Sequence, residues 1–344
     1  LNGKQRIEAV LNGQWPDKRP VMIHNFMMAA REYGITMAEY RFDPEKIAKA
    51  HIQAVEKYQL DGVFLDIDTA TTAGALGVPV EYPDDEPARC VSQHPLLESI
   101  DTVGDLPNVK VADNHSVQVW VEACRLLKAY FGDEVFVRGN ADQLPFSLAS
   151  MMRGVENWMM DLMDPSKEQY ITALLDYAAQ ACKEFSGMMI DAGADLISHG
   201  DSPAGPDMIS PNMYKRFALP YEKSVIDYIH SRNMKHMLHI CGNTNVILDQ
   251  MAATGTDAVE LDYKTDIQLI YEKLSDTLVL SGTIDPSRIL YFGSVSDVKK
   301  MTREVLAVYN DSPRLIVCSG CAIPPGTPAD NIKAMIETAR EAFA

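Results

Sequence analysis

The chain has 344 residues, 47% of them hydrophobic, and 31 Lys+Arg against 48 Asp+Glu give a formal net charge of −17. That balance lacks the basic surface that nucleic acids and anionic membranes require, and no apolar run approaches the roughly 20 residues of a membrane-spanning helix. The opening residues Leu1-Asn2-Gly3-Lys4-Gln5-Arg6-Ile7 read as polar helix without the basic-then-apolar signature of a signal peptide, and the six cysteines lack the spacing of a small secreted scaffold, so a cytoplasmic protein with reduced thiols is expected.

Short apolar runs alternate with longer amphipathic stretches along the whole chain. Candidate strands lie at 20–26, 62–67, 134–138, 195–199, 235–240, 257–261, 277–282 and 314–318. Between them, Pro44–Tyr58 carries an apolar stripe of Ile47, Ala48, Ile52 and Val55, and helical patterns follow at 166–192, 212–230, 296–309 and 330–343. Strands alternating with helices give βαβ units and a parallel sheet. Eight such units predict a closed (β/α)8 TIM barrel forming one domain over 1–344. An open doubly wound sheet would show a Gly-rich phosphate turn after an early strand, and none is present. The stretch 69–114, rich in Gly and Pro, reads as a long excursion leaving the C-terminal end of the second strand, where it is expected to help roof the active site.

His239-Ile240-Cys241 ends the fifth predicted strand. Residues two apart on a strand point to the same side, so His239 and Cys241 can share one ion while Ile240 faces the outer helices. A third ligand is expected from elsewhere, and the last strand end, Val317-Cys318-Ser319-Gly320-Cys321, offers two thiols. A Cys/Cys/His set suits zinc, and three protein ligands leave a fourth position open, as in catalytic sites. The alternatives at this point are a chance His-x-Cys and a Cys318/Cys321 redox pair, although that pair does not open a helix in the thioredoxin manner. Cys90, Cys124 and Cys182 read as loop or helix-core cysteines.

Further motifs carry a resemblance. They are Phe64-Leu65-Asp66-Ile67 followed by Gly74-Ala75-Leu76-Gly77-Val78, Gly139-Asn140-Ala141 with Pro145-Phe146-Ser147, Gly200-Asp201-Ser202-Pro203-Ala204-Gly205, Phe217-Ala218-Leu219-Pro220-Tyr221, Gly282-Thr283-Ile284-Asp285-Pro286 and the tail Pro324-Pro325-Gly326-Thr327-Pro328. Along nearly its whole length the chain resembles the uroporphyrinogen decarboxylase superfamily, whose fold is a (β/α)8 barrel. The decarboxylase's Arg-rich first loop is replaced here by Met22-Ile23-His24-Asn25-Phe26-Met27-Met28-Ala29-Ala30-Arg31. His239-x-Cys241 and Ser319-Gly320-Cys321 instead look like the zinc ligands of the methylcobamide:coenzyme M methyltransferase branch, which selects Cys321 over Cys318.

The resemblance implies a methyltransferase. A thiol such as coenzyme M would bind the zinc as thiolate and attack the methyl group of a methylcorrinoid, carried by a small corrinoid-binding protein docked over the barrel mouth. Other strand-end polar residues are assigned alongside. Asp201 is read as completing the zinc shell or orienting a ligand, and His199 stands beside it; both also fit a structural turn. Asp66 occupies the decarboxylase's catalytic position and, with Asp68, lines the pocket or caps a turn. His24 and Asn25, with Asn140, are assigned to cofactor or substrate contact, His24 fitting a hydrogen-bonded core equally. The Met-rich runs cushion a flat corrinoid or fill the core. Competing functions are a demethylase running toward Co(I) corrinoid, a metal-free decarboxylase-like lyase, and a non-catalytic docking platform.

Overall fold

The computed structural model describes residues 1–91 and 93–341. Seven parallel strands follow one another around the sheet in chain order: β1 (Gly62–Leu65), β2 (Phe136–Gln143), β3 (Leu196–Gly200), β4 (His236–Ile240), β5 (Ala258–Leu261), β6 (Val279–Thr283) and β7 (Leu315–Cys318). The expected first strand at 20–26 is the one difference of kind. Only Val21 makes a parallel bridge, to Val317. Even so, this segment closes the ring. On one side Val317 N–H donates to Pro20 O (2.9 Å) and Met22 N–H to Val317 O (3.3 Å). On the other, Asp61 N–H donates to Val21 O (3.0 Å), and Val21 N–H is taken by the Asp61 carboxylate (2.9 Å). Pro20 has no N–H, and a side chain replaces one ladder bond, so no regular strand forms. Phe26 already begins the helix Phe26–Tyr33.

The side chains sort by the pleat's period of two. Met22, Phe64, Phe136, Leu196, Met237, Ala258, Val279 and Ile316, one from each stave, form a buried cluster inside the barrel, plugged below by Ile7, Val10 and Leu11 of the helix Gly3–Leu11. Two residues further along each stave stand His24, Asp66, Arg138, Ser198, His239, Glu260, Ser281 and Cys318, all on the inward register and none more than part-exposed. The barrel therefore has an apolar floor and a polar second storey. The alternate, outward residues, such as Ile23, Val63, Leu65, Val137, Leu238, Ile240 and Val259, belong to the separate outer cluster beneath the helices.

The helices match the amphipathic pattern closely. Pro44–Tyr58 is capped by Asp43, whose carboxylate accepts from Glu45 N–H and Lys46 N–H, with Pro44 in the first turn. The long pattern at 166–192 becomes Glu168–Asp191. That at 212–230 is divided into Pro211–Met213, a π-turn Tyr214–Ala218 and Leu219–Ser231. The last helix runs Ala329–Glu341, and the remainder of the expected 330–343 helix lies outside the described residues. The 69–114 excursion holds the helix Thr71–Ala75, an antiparallel pair Val80–Glu81 with Arg89–Cys90, and two 3-10 turns, Ile100–Asp105 and Val111–Asp113. It delivers Thr69 and Pro87 to the wall of the barrel-mouth cavity.

Candidate metal centre

His239, Cys241 and Cys321 converge at the C-terminal end of the barrel, their ligand atoms all within 4.8 Å of one another. His239 is the inward residue near the end of β4. Its Nδ1 lies 3.0 Å from Glu260 O, which makes Nδ1 a donor, and its Nε2 faces Cys241 Sγ at 2.9 Å. Cys241 Sγ stands 3.8 Å from Cys321 Sγ. Glycines make both cysteine placements possible. Gly242 (φ +88°) lies where a Cβ would come 2.4 Å from Asp207 Oδ2, and Gly320 (φ +74°) where one would come 2.1 Å from Leu261 O. Cys241 N–H donates to Ser202 Oγ at 3.2 Å, which ties the β4 end to the loop after β3.

The three groups shift one another's protonation. The Cys321 hydrogen bond and the neighbouring His239 outweigh burial and hold the Cys241 thiol down to about 3. The same Cys241 bond, with burial, pushes the Cys321 thiol well above its ordinary range. Burial opposes a charge on His239, but Cys241 overcomes it and raises the imidazole to about 9.

Beside it, the polar storey forms one connected network. His24 Nε2 is 2.7 Å from Asp66 Oδ2 and its Nδ1 is 3.1 Å from Glu260 Oε1. Burial disfavours a charged His24, yet Glu260 and Asp66 prevail and raise it. Arg138 donates to the other oxygen of Glu260 and, at 2.9 Å, to Ser198 Oγ, with its guanidinium 3.5 Å from the centre of the Phe64 ring. Burial works against the Glu260 carboxylate, but Arg138 and His24 hold it well below the usual range. Asn140 donates to Asp66 Oδ1 at 2.8 Å.

His24, Phe64, Asp66, Arg138 and Asn140 line, with the three ligand candidates, one cavity of about 470 Å³ whose walls also include Phe26, Met27 and Met151. Of the residues singled out in the sequence, His24, Asp66 and Asn140 join the ligand candidates there. Asn25, buried at the start of the helix Phe26–Tyr33, is not among the described wall residues. His199 touches the cavity wall, but its ring lies on the outward register of β3. There it sits 3.2 Å from Ser186 Oγ of an outer helix and 3.2 Å from His236 Nε2. Asp201 contacts the centre through its backbone, its N–H donating to His239 O at 2.9 Å. Its carboxylate instead accepts from Ser147 N–H (2.8 Å) and Oγ (2.5 Å), and burial pushes it up to about 6. The sequence reading passed over Glu260 and Arg138. Their signal was there: a lone charge within the apolar runs Ala258–Leu261 and Phe136-Val137-Arg138.

A (β/α)8 barrel with a His/Cys/Cys cluster that could hold a metal ion at its C-terminal face defines the class of molecule. The model of the uroporphyrinogen decarboxylase (URO-D) family matches residues 2–342, and the chain belongs to that family. Relatives within it include the methylcobamide:CoM methyltransferase MtbA of Methanosarcina mazei, 28% identical over 98% of this chain and 97% of that protein. MtaA of Methanosarcina barkeri is 26% identical over 99% of this chain and 98% of that protein. A uroporphyrinogen decarboxylase of Prochlorococcus marinus is 27% identical over 89% of this chain and 87% of that protein. Among solved structures, a methyltransferase from Methanosarcina mazei superposes with a TM-score of 0.90 at 25% identity, with both chains fully covered.

Proposed function

We propose that the chain transfers a methyl group from a methylated corrinoid to the sulfur of a small thiol, at a zinc ion held by His239, Cys241 and Cys321. The convergence of these three side chains on the cavity carries the reading. Two thiols and an imidazole whose Nε2 faces them are the donor set zinc prefers, with one position left for a ligand. When bound, zinc would keep the acceptor's sulfur deprotonated near neutral pH, and its two thiolate ligands, by cancelling the ion's charge, would leave that sulfur nucleophilic. Coenzyme M, named in the relatives, is the first acceptor to test.

The protein's own groups do the rest. Glu260 O orients the His239 ring, Ser202 fixes the Cys241 backbone, and Phe26, Met27 and Phe64 give the cavity an apolar wall. A small corrinoid-binding protein would present the donor at the barrel mouth. The exposed Met208, Val246 and Tyr263, one on each loop after β3, β4 and β5, support such a contact. Six free cysteines fit a reducing cytoplasm.

Protein purified without chelator should contain about one zinc per chain, and methylcobalamin with coenzyme M should give methylated thiol and Co(I). Absence of zinc from both native and zinc-supplemented protein would remove the metal site. A full zinc complement with no thiol methylated would remove thiol transfer and leave the reverse, donor-side direction.

A further inference from the structure

The loop after β3 holds both ligand candidates of β4 by their backbones. Asp201 N–H donates to His239 O at 2.9 Å, and Ser202 Oγ, one residue on, receives Cys241 N–H at 3.2 Å. The loop begins as a 3-10 turn, Ser202–Ala204, and Gly205 closes it against β4, where a Cβ would come 3.0 Å from Ile240 Cγ2. A shift of this turn therefore passes directly to His239 and Cys241.

The turn is anchored by the Asp201 side chain, which is fully buried. Its Oδ1 accepts from Ser147 N–H and Oγ on the helix Pro145–Arg153. Its second partner is another carboxyl, Glu222 of the helix Leu219–Ser231, equally buried and within hydrogen-bonding reach. Tyr214 O–H takes Glu222 Oε2 at 2.6 Å. The oxygens left to face each other are Asp201 Oδ2 and Glu222 Oε1, both buried and without another partner among the described residues. Two carboxylates would repel in so dry a place, whereas one proton between them gives each oxygen its bond. The two donors of Ser147 place the charge on Asp201 and the proton on Glu222. Burial and the Asp201 charge accordingly push Glu222 well above its ordinary range.

Apolar residues of similar volume would make this layer at least as stable as a desolvated acid pair. What they lack is direction, which a satisfied buried hydrogen-bond network supplies. We propose that Asp201 and Glu222 are positioning residues for the metal centre: the bond between their carboxyls ties the turn to two outer helices and so sets how His239 and Cys241 stand toward a shared ion. The inference rests on the metal reading of that cluster and adds the hold on its backbone.

The test measures zinc affinity by competition with a chromophoric chelator, and ligand geometry by the visible absorption of the cobalt(II)-substituted protein. Glu222→Leu fills similar space but leaves Asp201 Oδ2 without a donor. Glu222→Gln keeps one: its amide N–H stands where the carboxyl proton was, and its carbonyl still accepts from Tyr214. Glu222→Leu should lower zinc affinity roughly tenfold and displace the cobalt(II) bands, while Glu222→Gln should keep both at the parent's values. A leucine variant with the parent's affinity and spectrum, or a glutamine variant as impaired as the leucine one, overturns the proposal. Should Glu222→Leu fail to fold, Ser147→Ala decides, because it withdraws only the hydroxyl bond to Asp201 Oδ1. A smaller loss of affinity with a displaced spectrum supports the hold, and no change in either overturns it. A parent protein that takes up neither zinc nor cobalt(II) overturns the metal reading, and this inference with it; a parent that binds metal while every variant matches it overturns this inference alone.

Discussion

Cys318 and Cys321 are three residues apart, and the backbone sends their thiols to different places. Cys318 ends β7 on the inward register, buried beside Ser319, whereas Gly320 in its left-handed conformation turns the chain so that Cys321 reaches Cys241. Cys321→Ala should therefore lower zinc affinity by roughly two orders of magnitude or more, while Cys318→Ala should keep about one zinc per chain. Zinc titration against a chromophoric chelator distinguishes the two. Loss of zinc from the Cys318 variant alone would move the site along the strand end. The pairing of His239 with Cys241 was legible because a strand repeats every two residues. The choice between the two last thiols came only from the family resemblance, since the pleat's period does not give it and it depends on a φ angle that the sequence signals only as a glycine.

Between strand and helix, the outward face of β3 and β4 holds an unusual polar contact. His199, His236, Ser186 and Thr256 form a hydrogen-bonded chain inside the layer that elsewhere is Val, Ile and Leu. Burial depresses His199 to about 3 from its ordinary 6.5. The unfolded chain thus binds a proton that the folded chain refuses. Its contribution to stability is complete above pH 6.5 and declines as pH falls through that value toward 3. His199→Gln should remove this dependence. Urea unfolding of parent and variant between pH 7.5 and 5 should show stability curves that differ in slope by up to about 1.4 kcal/mol per pH unit below pH 6.5. Parallel curves would mean that His199 is charged or open to water in the fold. The sequence placed His199 at a strand end, yet the strand's own alternation turns its ring toward the helices.

For the whole molecule, closure depends on a carboxylate standing in for a strand. Asp61, 2% exposed, accepts from Val21 N–H and from Arg6 Nη1 (3.0 Å), with Arg340 at 3.7 Å. It joins the first stave to β1 and the floor helix to both. Asp61→Ala leaves a buried N–H and a part-buried guanidinium without their acceptor, and should cost about 2–4 kcal/mol. Asp61→Asn should cost less, because its carbonyl still receives Val21. Denaturant midpoints measure both, and an alanine variant as stable as the parent would show that the barrel closes without this contact.

Length, strand-helix alternation and the pleat's period were enough for the sequence alone to determine the eight staves, the parallel barrel, and a His-x-Cys pair facing its C-terminal end. These are properties of local pattern, and burial of one face repeats them at fixed spacing. Tertiary structure alone decided that His199 and Asp201 turn to the helices, and that Glu260 and Arg138 neutralise one another beside the site. Each of those outcomes depends on contacts between residues tens to hundreds of positions apart, where packing density, desolvation and the pairing of buried charge set the answer.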